Sequence, residues 1–367
     1  MQVRLAFLCG TTGWGGLEMN HVRNAQWFAE MGYFVKVYCV ENSPTHKAVL
    51  SNKIPYEIIQ KHKNHYDYAK AFRLQSKLKE DQITHLFIRA TFDMSIAASV
   101  KFLSHNNIKV CFLMEMQLTT KKKQFFRTLR YKFIDYWICP LKYLQNQVEN
   151  NTNFNQTKIF NIQSGIDFKK FNLNISKENA REKLNVQQDK IILGLIGRFD
   201  KYKGHFLVVE AMQLTKHRNF DVIFMGSPTA NVKSDYYERV VDEIEHQNLQ
   251  QRVHIIPYQN EISTFYSAID WTLMTSEAET FGMVTIESFA HGKPVLGSNQ
   301  AGTLELIKEN ENGILFESMN ALDLAQKIDS ILEEKIKFNS TEIQQFAQQF
   351  DSNLFVSKME SLLHLKG

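Results

Sequence analysis

Residues 271–292 read WTLMTSEAETFGMVTIESFAHG, and this stretch indicates the fold class of the chain. The apolar run Trp271–Met274 has the length of a buried strand. A polar loop rich in glutamate follows it, and a helical pattern then begins near Gly282 and ends at Gly292. A buried strand that leads through a short loop into a helix is the repeating unit of a parallel α/β sheet.

Apolar runs of strand length recur along the whole chain in two series, with amphipathic helical stretches between them. The first series comprises Val3–Leu8, Val35–Val40, His85–Ile88, Val110–Met114 and Tyr136–Cys139, and the second comprises Ile191–Ile196, Val222–Met225, Val253–Ile256, Trp271–Met274, Val295–Ser298 and Ile314–Phe316. The sequence therefore predicts an α/β protein with two Rossmann-like, doubly wound domains, each built on its own parallel sheet.

The length of 367 residues suits two domains of about 100–200 residues each. We predict a first domain at 1–165, a second at 166–350, and a terminal segment at 351–367 that returns to the first domain as the helix Ser352–Leu365. Ligands of open α/β sheets bind beyond the carboxyl ends of the strands. The binding loops of both domains are therefore expected to face a common interdomain cleft.

Composition excludes several classes of protein. Hydrophobic residues make up 44% and the net charge is +4, a value too small to indicate a nucleic-acid partner. The four cysteines, Cys9, Cys39, Cys111 and Cys139, lie in or at the end of apolar runs without metal-ligand spacing. The N-terminus has no signal-peptide pattern, and no apolar run approaches the roughly 18 residues of a membrane span. These features favour a cytoplasmic protein whose membrane contacts are peripheral.

A glycine-rich loop, GTTGWGGLE at 10–18, follows the first predicted strand and precedes a helical pattern that runs through Met31. Glycines let the backbone approach a ligand closely, and the first N–H groups of a helix attract phosphate. The spacing matches neither the dinucleotide-binding fingerprint nor the P-loop. A phosphate or sugar site and a simple tight turn both fit this loop.

Two cations follow the first strand of the second domain in the segment GRFDKYKG at 197–204. Arg198 offers a planar fork to phosphate oxygens and Lys203 a compact positive charge, so the pair suits a diphosphate. Basic residues in loops are more often only solvated, and this reading stays open for the pair taken alone.

Carboxylates flank the start of the helix predicted at Gly282. Glu279 lies in the loop, where it can accept hydrogen bonds from sugar hydroxyls, and Glu287 lies one to two turns into the helix, where it can bind a ribose diol. The N–H groups of 281–284 point into the same space. The alternative is that these carboxylates only stabilise the helix dipole.

At this point the chain resembles a known family, the retaining glycosyltransferases of family 4, also described as glycosyl transferases group 1, which have the GT-B fold. The matching segments are GGLE at 15–18, SGID at 164–167 with Phe171, GR at 197–198 with KG at 203–204, and ETFG at 279–282 through Glu287 with GKPV at 292–295. The last segment is the most specific, because two glutamates with seven residues between them precede the Gly-Lys-Pro-Val sequence.

The resemblance implies a role for each matching residue. Arg198 and Lys203 would bind the donor diphosphate and act in catalysis. Glu279 would contact the transferred sugar as a further catalytic residue, and Glu287 would bind the ribose. The donor-binding set that it implies is Gly15, Gly16, Arg198, Lys203, Gly226, Phe281, Gly282, Met283, Val284 and Glu287. It also implies that no metal ion and no other cofactor is needed, since positive side chains and helix dipoles take that part.

One position departs from the family. A histidine often follows the first-domain strand that here ends Phe112-Leu113-Met114, and this chain has Glu115 at about that place. Glu115 would then be a catalytic residue that orients the acceptor or stabilises charge at the reacting carbon. The alternative is a carboxylate of a surface loop.

Cations alternate with large apolar residues from Lys121 to Phe133, in the sequence KKKQFFRTLRYKF. This pattern predicts a basic amphipathic helix. Such a helix could hold the protein at an anionic membrane surface, or it could pack on the core with its basic face in solvent.

The predicted function is transfer of a sugar from a nucleotide diphosphate sugar to a glycan or lipid-linked acceptor, with retention of configuration, in the synthesis of a bacterial surface polysaccharide or glycoconjugate. The alternatives are another enzyme of the GT-B fold, such as a nucleotide-sugar epimerase, and a catalytically silent partner protein. A silent protein would usually have lost one of the charged residues, and this chain has the full set.

Overall fold

The structure is a computed structural model that describes residues 2–65, 67–124, 128–171, 173–228, 235–259, 261–277 and 279–365. The chain divides into two compact units. The first unit contains Met1–Ser164 together with Ser352–Gly367, and the second contains Gly165–Asp351. Each unit has its own parallel sheet and its own hydrophobic cores.

The first unit is built on a seven-stranded sheet in the order β3-β2-β1-β4-β5-β6-β7. Its strands are β1 (Arg4–Cys9), β2 (Phe34–Val40), β3 (Tyr56–Ile59), β4 (His85–Ile88), β5 (Lys109–Leu113), β6 (Tyr136–Cys139) and β7 (Ile159–Asn161). Its helices up to residue 164 are α1 (Gly16–Glu30), α2 (Pro44–Ser51), α3 (Tyr68–Glu80), α4 (Met94–Leu103) and α5 (Lys142–Asn151), with short 3-10 helices at Leu129–Phe133 and Gln156–Lys158.

After their first residues, the central strands β1, β4 and β5 are apolar, because helices cover both faces of the sheet. Phe7 on β1 stacks on Phe87 of β4 at 4.7 Å between ring centroids, and this pair belongs to the core on one face. Phe112 and Trp137 meet edge to face at 4.9 Å in the core on the other face. The strand order reverses between β1 and β4, so the loops after these two strands diverge and leave a crevice at the sheet edge.

The second unit is built on a six-stranded parallel sheet in the order β10-β9-β8-β11-β12-β13, which reverses between β8 and β11. Its strands are β8 (Ile191–Ile196), β9 (Phe220–Met225), β10 (Val253–Ile256), β11 (Trp271–Met274), β12 (Val295–Ser298) and β13 (Gly313–Phe316). Its helices are α6 (Lys177–Lys183), α7 (His205–Leu214), α8 (Tyr236–His246), α9 (Ser263–Ala268), α10 (Met283–Ala290), α11 (Ala301–Leu306), α12 (Ala321–Leu332) and α13 (Ser340–Ala347), with 3-10 helices at Phe168–Lys170, Lys201–Lys203 and Gln348–Phe350.

The last helix, α14 (Ser352–Leu363), belongs to the first unit. Phe355 packs against Trp27 of α1, with 5.8 Å between ring centroids. The hydroxyl of Tyr33 donates a hydrogen bond of 2.7 Å to Glu360. Burial of an aromatic side chain of this size contributes about 2–3 kcal/mol, so the segment is held by packing as well as by the chain connection.

The predicted α/β fold with two doubly wound sheets is confirmed, and every predicted strand is present within one or two residues of its predicted ends. Two strands escaped prediction, β3 and β7, which lie at the two edges of the first sheet. These two strands have only three or four residues and one buried residue each, so their sequences lack the apolar run of a buried strand. Tyr56 on β3, for example, is 37% exposed.

The predicted basic amphipathic helix at Lys121–Phe133 is wrong in its first part. Lys121–Gln124 have no helical structure, and Leu129–Phe133 form only a short 3-10 helix. Residues 125–127 lie outside the described residues. The Lys122 N–H donates to the Asn151 carbonyl at the end of α5, so the start of this segment is tied to a neighbouring helix. Within the described ranges, no helix has the length and apolarity needed to cross a bilayer.

Candidate active site

The loops after β8 and β11 bring two of the predicted site residues together. After β8, Asp200 begins the 3-10 helix Lys201–Lys203, because its side chain accepts a hydrogen bond from the Tyr202 N–H. Lys203 is the last residue of this short helix, and its ammonium lies 2.8 Å from Oε2 of Glu279. The two residues are 76 positions apart in the sequence, and they meet where the strand order reverses.

Backbone contacts between the two loops fix the geometry of this ion pair. The hydroxyl of Thr275 donates to the Lys203 carbonyl at 2.8 Å, and the Glu277 N–H donates to the Tyr202 carbonyl at 2.9 Å. Gly204 has a left-handed backbone with φ of 79°, and a Cβ there would lie 2.5 Å from the Thr275 carbonyl oxygen. Only glycine satisfies both requirements without strain, so Gly204 permits the close approach of the loops.

The ion pair keeps Glu279 charged. Burial by itself would raise the pKa of this carboxyl, but the charge and hydrogen bond of Lys203, with hydrogen bonds from Ser276 and the Thr280 backbone, lower it below the usual value. The Lys203 and Glu279 side chains retain 30% and 18% of their exposure, so both can be reached from solvent. The site thus presents a carboxylate acceptor and an ammonium next to each other at neutral pH.

Helix α10 begins directly beside this pair. Gly282, at its N-cap, is left-handed with φ of 82°, and no side chain caps the helix. Phe281 is buried, and Met283 and Val284 in the first turn are half-buried. The hydroxyl of Thr285 is buried without a hydrogen-bond partner among the described residues. Free N–H groups, a positive helix end and an unpartnered hydroxyl together favour an oxyanion.

Glu287 lies on α10, half-buried and held by residues that the sequence did not point to. The hydroxyl of Tyr266, on α9, lies 3.2 Å from the Val284 carbonyl and 3.4 Å from Oε2 of Glu287. The ring of His291 stacks on Tyr266 at 4.6 Å. Neither Tyr266 nor His291 follows a strand directly, so no motif spacing could have marked them.

Two other predicted residues of this unit have different surroundings. Arg198 is exposed, and within the described ranges it forms no hydrogen bond or ion pair. Gly226 follows β9, where a Cβ would lie 1.9 Å from the Gly197 carbonyl oxygen. Glycine is therefore needed at 226 so that the ends of β8 and β9 can pack together. This requirement holds whether or not Gly226 contacts a ligand.

The glycine-rich loop of the first unit lies between β1 and α1, at the reversal of that sheet. Gly15 is the N-cap of α1 and Gly16 its first residue, and nothing lies within 4 Å of a Cβ built on Gly16. The hydroxyl of Thr11 donates to Glu18 at 3.0 Å. The Gly10 N–H donates to the carboxylate of Asp93, a residue that follows β4. The loop is thus unobstructed at Gly16 and held in place at Gly10 by the Asp93 carboxylate.

Glu115 lies in a buried network of the first unit. It forms an ion pair with Arg89, and its side chain is only 9% exposed. Both of its oxygens accept hydrogen bonds of 3.1 Å from the Asn20 amide, and the Ser164 hydroxyl donates at 3.4 Å. These partners account for its acceptor positions, so a role of Glu115 toward a sugar stays a prediction.

Cys9, Cys39, Cys111 and Cys139 are free and buried. Burial raises the pKa of the Cys39 thiol to about 12. The part of the chain that the structure describes contains no group of three or more His, Cys, Asp or Glu residues placed to hold a metal ion.

Residues 176–349, nearly all of the second unit, match the family described as Glycosyl transferases group 1. The second unit carries a glycosyl transferases group 1 domain. The ion pair, the start of α10 and Glu287 all lie inside this group 1 domain, so the predicted resemblance is confirmed where its motifs were most specific.

Curated relatives support the same family at low identity. An uncharacterised glycosyltransferase of Methanocaldococcus jannaschii is 28% identical over 203 residues, which are 54% of this chain and 50% of that protein. The capsular polysaccharide biosynthesis glycosyltransferase CapM of Staphylococcus aureus is 26% identical over 214 residues, 55% of this chain and 53% of CapM. The chain thus spans about half the length of the curated relatives it matches.

Solved structures extend the likeness to the whole chain. The crystal structure of Anabaena HepE in complex with UDP has a TM-score of 0.86 over 99% of this chain and 100% of HepE, at 19% identity. Similarity at this identity shows the fold alone. The predicted GT-B fold, with a Rossmann-like first unit as well as the group 1 domain, is confirmed.

Proposed function

We propose that this protein is a glycosyltransferase that moves a sugar from a nucleotide diphosphate sugar to a glycan or lipid-linked acceptor. The observation that carries the proposal is the ion pair of Lys203 and Glu279 at 2.8 Å, beside the uncapped start of α10, inside the group 1 domain. A cation, a carboxylate and a set of free N–H groups are the groups that a diphosphate joined to a sugar would engage.

Lys203 and Glu279 would change partners when the donor binds. The diphosphate competes with Glu279 for the Lys203 ammonium, because phosphate oxygens carry more negative charge than one carboxylate. Glu279 is then released to accept hydrogen bonds from hydroxyls of the transferred sugar. Its lowered pKa supports this role, since a charged carboxylate is an acceptor only.

The diphosphate and the nucleotide would bind along α10. The N–H groups of the first turn and the Thr285 hydroxyl would donate to phosphate oxygens, with Arg198 supplying a second positive charge from the loop after β8. Glu287 would accept from the ribose hydroxyls, in an orientation that Tyr266 helps to set. Gly15 and Gly16 stay proposed donor-binding residues of the first unit.

We further propose that transfer retains the configuration of the sugar and needs no metal ion. The bond from the anomeric carbon to the diphosphate breaks while a bond to the acceptor oxygen forms on the same face, and the acceptor proton passes to the departing phosphate oxygen. Lys203, Arg198 and the start of α10 would neutralise the charge that grows on the leaving group. Proton NMR of the fresh product tests retention, because the anomeric coupling reports its configuration, and an inverted product would contradict it.

The proposed acceptor and location rest on one named relative, on the basic segment at 121–133 and on the cysteines. The relative CapM is named for capsular polysaccharide biosynthesis, which supports a surface polysaccharide or glycoconjugate as the product. Lys121 and Lys123 are exposed and precede the short helix Leu129–Phe133, so this segment stays a proposed contact with anionic lipid at the inner face of the membrane. Four free, buried cysteines support a cytoplasmic place.

The test is a donor screen followed by a transfer assay. Thermal shift with uridine, guanosine and adenosine diphosphates identifies the base, and HepE, solved with UDP, makes uridine the first choice. The best sugar donor is then incubated with candidate glycan and lipid-linked acceptors. Release of nucleotide diphosphate together with a new glycoside supports the proposal. A changed sugar still joined to its nucleotide indicates an epimerase, and binding without turnover of any donor indicates a silent partner protein.

A further inference from the structure

The glycine-rich loop at 10–18 is held from inside by one carboxylate. Asp93 occupies the N-cap position of α4, but its side chain makes no capping hydrogen bond to that helix. Oδ1 instead accepts from the Gly10 N–H at 3.0 Å and lies 2.8 Å from Nε2 of His62. The side chains of His62 and Asp93 are 0% and 1% exposed, so water does not substitute for either partner.

Gly10 has no room for a side chain at this point. A Cβ would lie 2.3 Å from Nε2 of His62 and 2.4 Å from Oδ1 of Asp93. The pair therefore packs directly against the backbone where the loop leaves β1. Any movement of His62 or Asp93 changes the path of the loop from its first residue.

The two hydrogen bonds of His62 require one proton on Nδ1 and a second proton between Nε2 and the Asp93 carboxylate. Nδ1 lies 2.9 Å from the Lys63 carbonyl, which can only accept, so Nδ1 carries a proton. Nε2 faces the Asp93 carboxylate at 2.8 Å, and this contact also needs a proton between the two atoms. Without that second proton, a nitrogen lone pair would face a carboxylate inside the protein, which is strongly unfavourable.

We infer that His62 and Asp93 form a positioning pair that keeps the loop at 10–18 in its binding conformation only while the two residues share a proton. The inference rests on the proposed function for the identity of the loop's ligand, but not for the state of the loop. The ring of Phe92 stacks on the imidazole of His62 with 4.4 Å between ring centroids, and so shields the pair from solvent on that face.

The charges around the pair determine the direction of its pH dependence. Burial by itself would lower the pKa of His62, but the hydrogen bonds to Asp93 and to the Lys63 carbonyl, with the charges of Asp93 and Asp67, raise it. Burial raises the pKa of the Asp93 carboxyl, and Glu18 adds to this. The pair therefore retains its shared proton above the ordinary imidazole pKa of 6.5.

Two further titratable groups of this region are the Lys70 ammonium, through its ion pair with Asp67, and the Cys9 thiol, which feels the charge of Asp93. Lys70 pairs with Asp67 at 3.5 Å, and burial raises the pKa of the Cys9 thiol. A group whose pKa is higher in the folded state stabilises that state at low pH, and the contribution is lost as pH rises through the raised value. The loop is thus expected to loosen on the alkaline side of 6.5.

Trp14 lies in the loop and reports its state without any ligand. It is 44% exposed, whereas Trp27, Trp137 and Trp271 are 7% exposed or less. Subtracting the emission of Trp14→Phe from that of the parent protein leaves the emission of Trp14 alone. The constant for quenching of this emission by acrylamide therefore measures how exposed the loop is. Release of the loop would take Trp14 from 44% toward full exposure, so its quenching constant is expected to rise about twofold with pH.

Three variants separate the shared proton from simple packing. His62→Gln keeps a neutral N–H that can reach Asp93 and is expected to remove the pH step while leaving quenching low. His62→Leu removes the donor and is expected to give high quenching at every pH. His85→Gln is the control, since His85 is a buried histidine at the amino end of the central strand β4, whereas the loop follows the carboxyl end of β1, and it should keep the parent's pH step.

An equal pH step in the parent and in His62→Gln overturns the inference, and so does low quenching in a folded His62→Leu variant. If circular dichroism shows that His62→Leu does not fold, the pH step in quenching of the parent, compared with that of His62→Gln, still tests the inference. With a donor at hand, His62→Leu should raise the donor KM several-fold with little change in kcat, because the loop binds donor before and during transfer alike. If no donor is ever found, the proposed function fails while the quenching result stands on its own.

Discussion

Replacing Lys203 with alanine tests the centre of the candidate site. The substitution removes the ammonium 2.8 Å from Glu279 and leaves that carboxylate, 18% exposed, without its main partner. In the proposed reaction it also removes a positive charge from the departing diphosphate. Charge on that group grows as the bond breaks, so the loss falls on the transition state more than on donor binding.

The structure allows the size of both effects to be estimated. Loss of one preorganised group that stabilises a developing anion lowers kcat by roughly 10²–10³, which is about 2.7–4 kcal/mol. Exposed ion pairs contribute about 0–1 kcal/mol and breaking a fully buried pair costs about 3–5 kcal/mol. With side chains 30% and 18% exposed, the Lys203–Glu279 pair lies between these limits, so we expect the unfolding free energy to fall by about 1–2 kcal/mol.

Lys201→Ala is the matched control. Lys201 belongs to the same 3-10 helix, is exposed and lies over the Tyr202 ring at 4.8 Å, and it forms no carboxylate pair within the described ranges. Initial rates give kcat and KM, calorimetry gives the affinity for free nucleotide diphosphate, and urea unfolding gives stability. Without Lys203 the pKa of Glu279 should rise, so the acidic limb of the pH–rate profile should move to higher pH.

Two results would refute this reasoning. Unchanged turnover in Lys203→Ala would remove the ammonium from the mechanism. An equal loss in Lys201→Ala would show that general positive charge of the loop matters, not the specific pair. A loss of stability of several kcal/mol would mean that the pair is structural first, and the rate would then need to be compared at equal folded fraction.

Three further predictions follow from the site. Glu287→Gln should weaken free nucleotide diphosphate and nucleotide sugar alike, whereas Glu279→Gln should leave free nucleotide affinity nearly unchanged and lower transfer; equal weakening of free nucleotide in both variants, measured by calorimetry, would contradict the assigned roles. Activity should survive excess EDTA, and full loss that Mg²⁺ or Mn²⁺ restores would show that a metal ion is required. Replacing Lys121, Lys122 and Lys123 with glutamate should reduce sedimentation with anionic vesicles while the circular dichroism spectrum stays unchanged, and unaltered sedimentation would remove this segment from membrane binding.

The strands were the most predictable part of the molecule. A strand covered on both faces is largely apolar, and interior strands such as Tyr136–Cys139 and Ile191–Ile196 therefore appear directly in the sequence with their correct ends. The edge strands β3 and β7 lack that constraint and were missed. The segment 121–133 has the alternating pattern of an amphipathic helix, but its first residues bond to α5, a tertiary contact that overrides local pattern.

The sequence by itself determined which chemical groups follow which strands: Gly10–Glu18 after β1, Arg198 and Lys203 after β8, and Glu279 after β11. In a parallel sheet the ends of all strands lie at one edge, so these groups had to lie at the binding edge of their sheets.

Only the tertiary structure decided which of these groups have partners. The reversal of strand order places the loop of Lys203 against the loop of Glu279, and it does the same for Gly10 and Asp93. The tertiary structure also places Glu115 in an ion pair with Arg89 inside the first unit. Such contacts join residues far apart in the chain, and local propensity carries no information about them because they depend on the order in which the strands pair.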